Sequence, residues 1–252
     1  MLLPFATWRP GRQFLVTNEK IRLALNTDSK LSHGDTITYT DVTESTSVAG
    51  QIIAAVNFTD SHGSKFSYIT NASAKALEDR VEFSLPYAID LKLLDYCTNK
   101  LKGREVYILT NLRVDDNGET TSGKHFIPVT IMDVLPGDDS APLIVKFTTQ
   151  EGEIESVRMT VADERHATRN FFTLFSFTDP RLQYPAITDA TWLKIVDGTV
   201  VEGMTRDEVR LSIGAPVDIT KDNKTITETE RWSYPDGRSL LFENGILIKS
   251  HL

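Results

Sequence analysis

Residues 203–216, which read GMTRDEVRLSIGAP, predict a short helix with a marked start and a marked end. Thr205 and Glu208 have the spacing of a capping box, in which each side chain bonds the backbone amide of the other residue. Gly214 suits the position that ends a helix, and Pro216 cannot continue one. Because only about two turns fit between these signals, we expect the helix to be stable only when it is docked on a sheet.

Antiparallel strands are predicted after this helix. Residues 217–234 have the pattern of a hairpin with a polar tip at 221–224. Residues 240–248 predict a second, tighter hairpin, because Asn244 and Gly245 form a strong two-residue turn signal between apolar runs.

Another helix is predicted before this one, with Thr188 as its N-cap and Trp192 on its buried face. The order of two helices followed by three or four strands resembles the SmpA/OmlA, or BamE-like, family of bacterial envelope proteins. The residues that carry the resemblance are Gly203, Met204, Thr205, Glu208, Val209, Ile213, Gly214, Pro216, Trp232, Ser233, Tyr234, Phe242, Asn244, Gly245 and Leu247.

The resemblance covers residues 188–252 and implies a small α+β module outside the cytoplasm that acts by contacting other proteins. The β-lactamase-inhibitor proteins, which are pure protein binders, share this architecture of two helices on an antiparallel sheet. No catalytic residue is implied. The whole chain is similar to exported multi-domain proteins of Bacteroidetes, so we expect it in the periplasm or cell envelope. It departs from simple family members because it has a long β-rich region before the module and no lipid-attachment cysteine near its N-terminus.

The region before residue 188 is predicted to be mainly β. Residues 31–70 and 102–161 carry apolar runs separated by turn signals. Between them, residues 71–78 can start a short helix, residues 84–87 break the pattern, and residues 89–101 have the spacing of a connector helix. Residues 179–185 are expected to be extended and turn-like, because a residue before proline avoids the helical region. We therefore expect three domains: 1–100, a β-rich unit with a connector helix; 101–187, a second β-rich unit with a bridge; and 188–252, the BamE-like module.

A loose internal repeat connects the two β regions. Phe58 and Gly63 enclose four residues in the first region, as Phe147 and Gly152 do in the second, and a strand follows each pair. Chance convergence of two hairpins explains this spacing equally well. If the repeat is real, the short strands and regular turns fit one or two small barrels like Src-homology-3 domains.

Composition excludes several classes of function. The net charge is −8, which argues against nucleic acid as a partner, because phosphate binding requires clustered Lys and Arg. The single cysteine, Cys97, allows no intrachain disulfide and no cysteine-based metal site. No apolar run approaches the length of a transmembrane helix. The first five residues do not form a signal peptide, so the chain is either cytoplasmic or a mature form without its export signal.

Catalytic, metal and cofactor sites are not predicted. The histidines have no metal-ligand spacing and are expected on surface loops: His33, His62, His125, His166 and His251. Residues 163–166 could hold a general base, although a solvated turn suits them better. Residues 115–118 lack the ligand spacing of a calcium loop and are interpreted as a hairpin turn. Phosphate-loop, dinucleotide and nucleophile-elbow motifs are absent from the sequence.

Three aromatic residues are the candidate interaction surface: Trp192, Trp232 and Tyr234. Such residues are more often buried in a core, and they would mark a contact surface only if they were exposed together. The preferred hypothesis is a non-catalytic scaffold of the cell envelope that binds other proteins through its β domains and its BamE-like module. The alternatives are a protein that binds cell-wall glycan and an enzyme with a dispersed active site. The oligomeric state is open.

Overall fold

The computed structural model describes residues 4–25, 27, 30–80, 83–115, 117–138, 140–161, 168–222 and 228–251. The fold is mainly β, as the sequence predicts, because strands hold 38% of the residues and helices 21%. Three sheets account for the strands. No helix of the described residues is both long enough and apolar enough to cross a membrane.

The first sheet has five antiparallel strands, in the order β4-β3-β2-β1-β5. Its strands are β1 (Gln13–Val16), β2 (Thr36–Thr46), β3 (Ile52–Thr59), β4 (Lys65–Ile69) and β5 (Ala88–Asp90). The helices of this part of the chain are α1 (Ile21–Ala24), α2 (Ala74–Glu78) and α3 (Leu91–Leu101). The predicted strands over 31–70 are thus confirmed. The predicted connector helix is confirmed from Leu91 onward, whereas Ile89, which we expected in the helix, lies in β5.

The second sheet has seven strands: β6 (Glu105–Ile108), β7 (Leu112–Val114), β8 (Thr120–Ser122), β9 (Ile127–Pro136), β10 (Leu143–Thr149), β11 (Ile154–Met159) and β12 (Phe175–Ser176). Their order is β12-β6-β9-β10-β11-β7-β8, and α4 (Phe171–Leu174) directly precedes β12. The predicted turn at 115–118 and the predicted polar run at 163–166 include residues outside the described ranges, namely 116 and 163–166.

Five strands of the second sheet repeat the order of the first. In each sheet four strands are neighbours in chain order, and the fifth returns to lie beside the first: β1, β2, β3, β4 and β5 in one, and β6, β9, β10, β11 and β12 in the other. Phe58 and Phe147 are fully buried in the third strand of each set, and Gly63 and Gly152 have positive φ angles in the turns that follow. Among the described residues, strands β7 and β8 have no counterpart in the first sheet.

The third sheet follows two helices. These elements are α5 (Asp189–Val196), α6 (Arg206–Ile213), β13 (Asp218–Asp222), β14 (Thr229–Ser233), β15 (Ser239–Glu243) and β16 (Ile246–His251), and the antiparallel order is β13-β14-β15-β16. Asn244 and Gly245 have φ angles of 48° and 85°, which confirms the predicted tight turn. The predicted polar tip at 221–224 falls partly outside the described residues.

The chain divides into two compact units. The first consists of Met1–Glu105, Val114–Glu119 and Thr130–Leu174, and the second of Val106–Arg113, Thr120–Val129 and Phe175–Leu252. The core of the first unit is rich in packed aromatic rings: Phe5, Trp8, Phe14, Tyr39, Phe58 and Phe83. The three predicted domains stay a prediction.

The segment 179–185, which we expected to be extended and turn-like, is extended at Asp179 and then forms a 3₁₀ helix at Pro180–Gln183. The Asp179 side chain accepts a hydrogen bond of 2.8 Å from the Arg181 amide, and Pro180 is suited by its fixed φ to the first helical position. Pro180 therefore starts a helical turn. The expectation of an extended segment considered only the restriction that a proline places on the residue before it.

Candidate functional site

The motif at 203–214 forms the helix that the sequence predicts. The Thr205 amide donates to Glu208 Oε2 at 2.7 Å, and the Glu208 amide donates to Thr205 Oγ1 at 3.3 Å, so both halves of the capping box are present. Gly214 ends the helix with a φ of 84°. The Gly203 amide donates to the Leu247 carbonyl, and the Leu247 amide to the Met204 carbonyl, at 2.8 Å each. The motif is therefore fastened to β16 as well as capped.

The three aromatic residues of the predicted interaction surface lie in the core of the second unit. Trp192, Trp232 and Tyr234 are 9%, 0% and 6% exposed, so they do not form an exposed contact surface. The Trp232 ring lies 4.5 Å from the Phe242 ring, and Trp192 stacks with Phe126 at 5.5 Å between ring centres. Their large apolar area favours burial over exposure. Burial in a core is also the more common of the two outcomes considered for these residues from the sequence.

Hydrogen bonding explains how the polar atoms of two of these aromatics are accommodated. The Trp232 indole donates to Glu230 at 2.9 Å, and the Tyr234 hydroxyl donates to the Gly214 carbonyl at 3.2 Å. Burial raises the pKa of Tyr234 to about 12, so the phenol stays neutral at physiological pH. These groups stabilise the fold and do not supply acid–base chemistry near neutral pH.

An ion cluster around the buried carboxylate of Glu230 lies beside Trp232, and the sequence did not reveal it. Glu230 is 3% exposed and meets Lys221 Nζ at 2.7 Å and Arg206 Nε at 3.0 Å, while Arg206 also pairs with Glu228 at 3.1 Å. Burial by itself would raise the pKa of Glu230, but the hydrogen bonds from Lys221 and Trp232 and the charge of Arg206 hold it below its usual value. The carboxylate is therefore ionised and already bonded to protein partners.

One face of the third sheet carries the core, and the helices cover it. Trp192, Ile195 and Val196 of α5 and Val209 of α6 pack in one cluster with the inward residues of the sheet: Trp232, Leu240, Phe242 and Leu247. Strand alternation places the intervening residues on the opposite side. The two helices thus leave the second face of this sheet uncovered.

We call this second surface the open face. Strand register aligns Thr220, Arg231, Leu241 and Lys249 in one row across all four strands. None of its residues is buried. The members of the open face are Asp218, Thr220, Thr229, Arg231, Ser233, Ser239, Leu241, Glu243, Ile246, Lys249 and His251. Leu241 is an apolar residue at a central position, surrounded by polar and charged side chains.

A cavity of about 310 Å³ lies in the first unit. Its described lining is Thr17, Ser84, Leu85, Pro86, Tyr87, Ala88, Ile89, Asp138, Ser140, Pro142, Thr160 and Val161. The Asp138 carboxylate accepts a hydrogen bond of 2.6 Å from the Ser140 hydroxyl and pairs with Arg158. Burial would raise its pKa, but the bonds from Ser140 and Arg158 hold the pKa of Asp138 below its usual value. Thr160 Oγ1 is buried and has no partner among the described residues. The polar groups of this lining can form hydrogen bonds with a ligand, and the Asp138 carboxylate, with its lowered pKa, is a weak base.

Of the other titratable candidates, His251 is a member of the open face. His33 and His62 are exposed, as expected. His125 was predicted on a surface loop, and this was wrong, because its ring is 4% exposed and packed against Phe126. Cys97 is half-buried, and burial raises the pKa of its thiol. Within the described ranges, no three His, Cys, Asp or Glu side chains are grouped as a metal would require.

The geometry of the second unit thus offers an uncovered sheet face supported by a capped helix and a bonded ion cluster. Comparison of the chain with protein-family models, with curated proteins and with solved structures finds no match.

Proposed function

We propose that the protein is a non-catalytic scaffold of the bacterial cell envelope that binds a protein partner through the open face. The uncovered second face of the four-stranded sheet is the observation that carries this proposal. Antiparallel sheets often have one solvated face, so exposure alone is not decisive. The arrangement of Leu241 within a row that contains Arg231 and polar side chains adds support, because interfaces combine an apolar centre with a polar rim and are enriched in arginine.

The proposed compartment and family rest on the BamE-like resemblance of residues 188–252. The observed order of two helices and four antiparallel strands supports it, as do the capping box at Thr205 and the turn at Asn244 and Gly245. In this proposal the module is an exported scaffold, and the periplasm or cell envelope is where it meets its partner.

The proposal also includes two small barrels like Src-homology-3 domains in the β-rich part of the chain. The strand order shared by β1 to β5 and by β6, β9, β10, β11 and β12 supports a duplicated unit, because a final strand that returns beside the first is needed to close a small barrel. In this scheme β7 and β8 form an inserted hairpin between the first and second strands of the second copy.

A differential capture experiment tests the proposed surface. The immobilised wild-type chain and the variant Leu241→Asp are compared on a cell-envelope extract, with Ile154→Asp as the matched control. Ile154 lies on β11 in the first unit and is 57% exposed, so the control places the same charge on a strand surface elsewhere. Circular dichroism and thermal unfolding must show that all three proteins are equally folded.

We expect wild type and Ile154→Asp to retain the same envelope protein and Leu241→Asp to lose it by about tenfold or more, since a buried charge at an interface centre costs at least 1.4 kcal/mol. Equal capture by all three proteins, or capture of none, overturns the proposal. Binding of the chain to purified peptidoglycan in place of a protein favours the glycan alternative.

A further inference from the structure

The segment formed by His125 and Phe126 joins three elements of the second unit. The His125 amide donates to the Val196 carbonyl at the end of α5 at 3.2 Å, and its ring Nε2 bonds the Leu211 carbonyl of α6 at 2.9 Å. The next amide, that of Phe126, donates to the Ile108 carbonyl of β6 at 2.6 Å. A two-residue segment before β9 therefore holds both helices.

The bond to Leu211 fixes the tautomer of the neutral ring. A carbonyl oxygen only accepts hydrogen bonds, so Nε2 carries the proton and Nδ1 carries a lone pair. Nδ1 is buried and has no partner among the described residues, and the Phe126 ring lies 4.3 Å from the imidazole. Protonation at Nδ1 would thus create a buried N–H group that has no hydrogen-bond acceptor among the described residues and lies beside the apolar Phe126 ring.

The charged surroundings also disfavour protonation. The Arg113 guanidinium, which is 1% exposed, acts on the imidazole with its positive charge, and the side chain of Lys124 is exposed. The charged groups of α5 and α6 are exposed or bonded to other groups: Asp189, Lys194, Arg206, Asp207, Glu208 and Arg210. No described carboxylate is placed to neutralise an imidazolium at this position.

We propose that His125 is a pH-sensitive clamp, which fastens α5 and α6 to the segment before β9 when it is neutral and releases them when it is protonated. The clamp consists of the His125 ring and its bond to Leu211, together with the backbone bond to Val196. Release changes the support of the third sheet, because α5 and α6 pack on its covered face.

The direction of the pH effect follows from the proton balance. Burial lowers the pKa of His125, and the positive charge of Arg113 lowers it further, against the opposing effect of the bond to Leu211. The unfolded or released ring has an ordinary pKa of about 6.5 and binds its proton first as the pH falls. Stability from the clamp is therefore fully present above about pH 6.5 and declines below it, by up to about tenfold in the opening equilibrium per pH unit.

Hydrogen exchange on the full chain measures this release directly. Amide protection of α5 and α6 is compared at about pH 7.5 and about pH 5, after correction for the intrinsic pH dependence of exchange. The test variant is His125→Gln, since its amide nitrogen can replace Nε2 as the donor to Leu211 and does not titrate. The control is His62→Gln, which alters a histidine whose side chain is 86% exposed.

We expect wild type and His62→Gln to lose protection in α5 and α6 on acidification, and His125→Gln to keep it. An equal loss in His125→Gln overturns the proposal. If that variant does not fold, the proposal is tested instead by nuclear magnetic resonance titration of the His125 imidazole in the wild-type protein. A ring that titrates at or above the ordinary value for histidine contradicts the clamp, and one that titrates below it in the Nε2–H tautomer supports it.

Discussion

Glu230 lies on the covered side of β14, where a carboxylate is stable only with partners. Lys221 and the Trp232 indole donate hydrogen bonds to it, and Arg206 forms an ion pair with it, so one ionised group has three partners. A buried ion pair often contributes little net stability compared with an apolar replacement, but removing a cation would leave the buried Glu230 carboxylate with fewer partners. The cluster therefore fixes which side chains lie against Trp232.

Glu230→Gln is expected to destabilise the protein by about 1–2 kcal/mol at neutral pH, because an amide cannot satisfy two cations. The loss is limited because Lys221 is 53% exposed and can turn to water. Urea unfolding of wild type and variant measures it, and Glu243→Gln, on the exposed side of β15, is the control with an expected effect within about 0.5 kcal/mol. Equal effects of the two substitutions would show that the cluster has no energetic role.

The difference in folding stability between wild type and Glu230→Gln is also expected to depend on pH. Burial opposes ionisation of Glu230, but its bonded partners hold the net pKa below the usual value. The stabilisation is therefore fully present above the ordinary glutamate value of about 4.3 and is lost as the pH falls through the lower folded value. The stability difference between wild type and Glu230→Gln should shrink between neutral pH and strong acid.

At the scale of elements, the helix α6 depends on its ends. It has eight residues, which is too short for an isolated helix to persist in water. Its first turn is closed by the capping box and its last by Gly214, and Val209 buries its inner face. Such signals were readable in the sequence because they connect residues three to nine positions apart.

Thr205→Ala is expected to cost about 1 kcal/mol of folding stability, because the substitution removes the acceptor for the Glu208 amide. Thr205→Ser keeps a hydroxyl at the same place and should restore most of the loss. Thermal or urea unfolding of the three proteins checks the prediction. A serine variant as unstable as the alanine variant would assign the effect to the lost methyl group and not to the cap.

For the whole molecule, the module at 188–252 does not complete its own core. Phe126, Ile127 and Tyr184 lie before residue 188 and pack against the cluster that contains Trp192 and Trp232. Phe126 stacks on Trp192, and Arg181 lies 5.2 Å from the centre of the Trp192 ring. The second unit accordingly includes Thr120–Val129 together with Phe175–Leu252.

We therefore expect a fragment of residues 188–252 to lack the cooperative thermal unfolding of the full chain. Phe126→Ala tests the same contact without truncation and should destabilise the full chain by about 2–4 kcal/mol. This loss is smaller than the largest losses known for fully buried phenylalanines, because Phe126 is only partly buried. The control is Phe172→Ala, since Phe172 is 62% exposed. Near-ultraviolet circular dichroism during heating is the measurement, and a fragment that unfolds as sharply as the full chain would contradict the expectation.

Apart from the helix start at Pro180, sequence reasoning succeeded where the causes are local and failed where they are distant. The cap at Thr205, the turn at Asn244 and the strands over 31–70 follow from neighbouring residues. The burial of His125 depends on Leu211, which lies 86 residues away, and no periodicity around His125 reports it. The Glu230 cluster likewise forms only after β13, β14 and α6 are brought together.

The bonds between Gly203, Met204 and Leu247 have a consequence for association between copies of the chain. Exposed strand edges allow sheets to extend from one molecule to the next, and continuous extension requires two available edges on each molecule. The Gly203–Met204 segment occupies the outer side of β16 at Leu247, so a strand arriving there would first have to displace it. At Ile246 and Leu247 the edge of β16 is therefore already paired, so we expect another copy to join this sheet more readily along β13 than at these two residues.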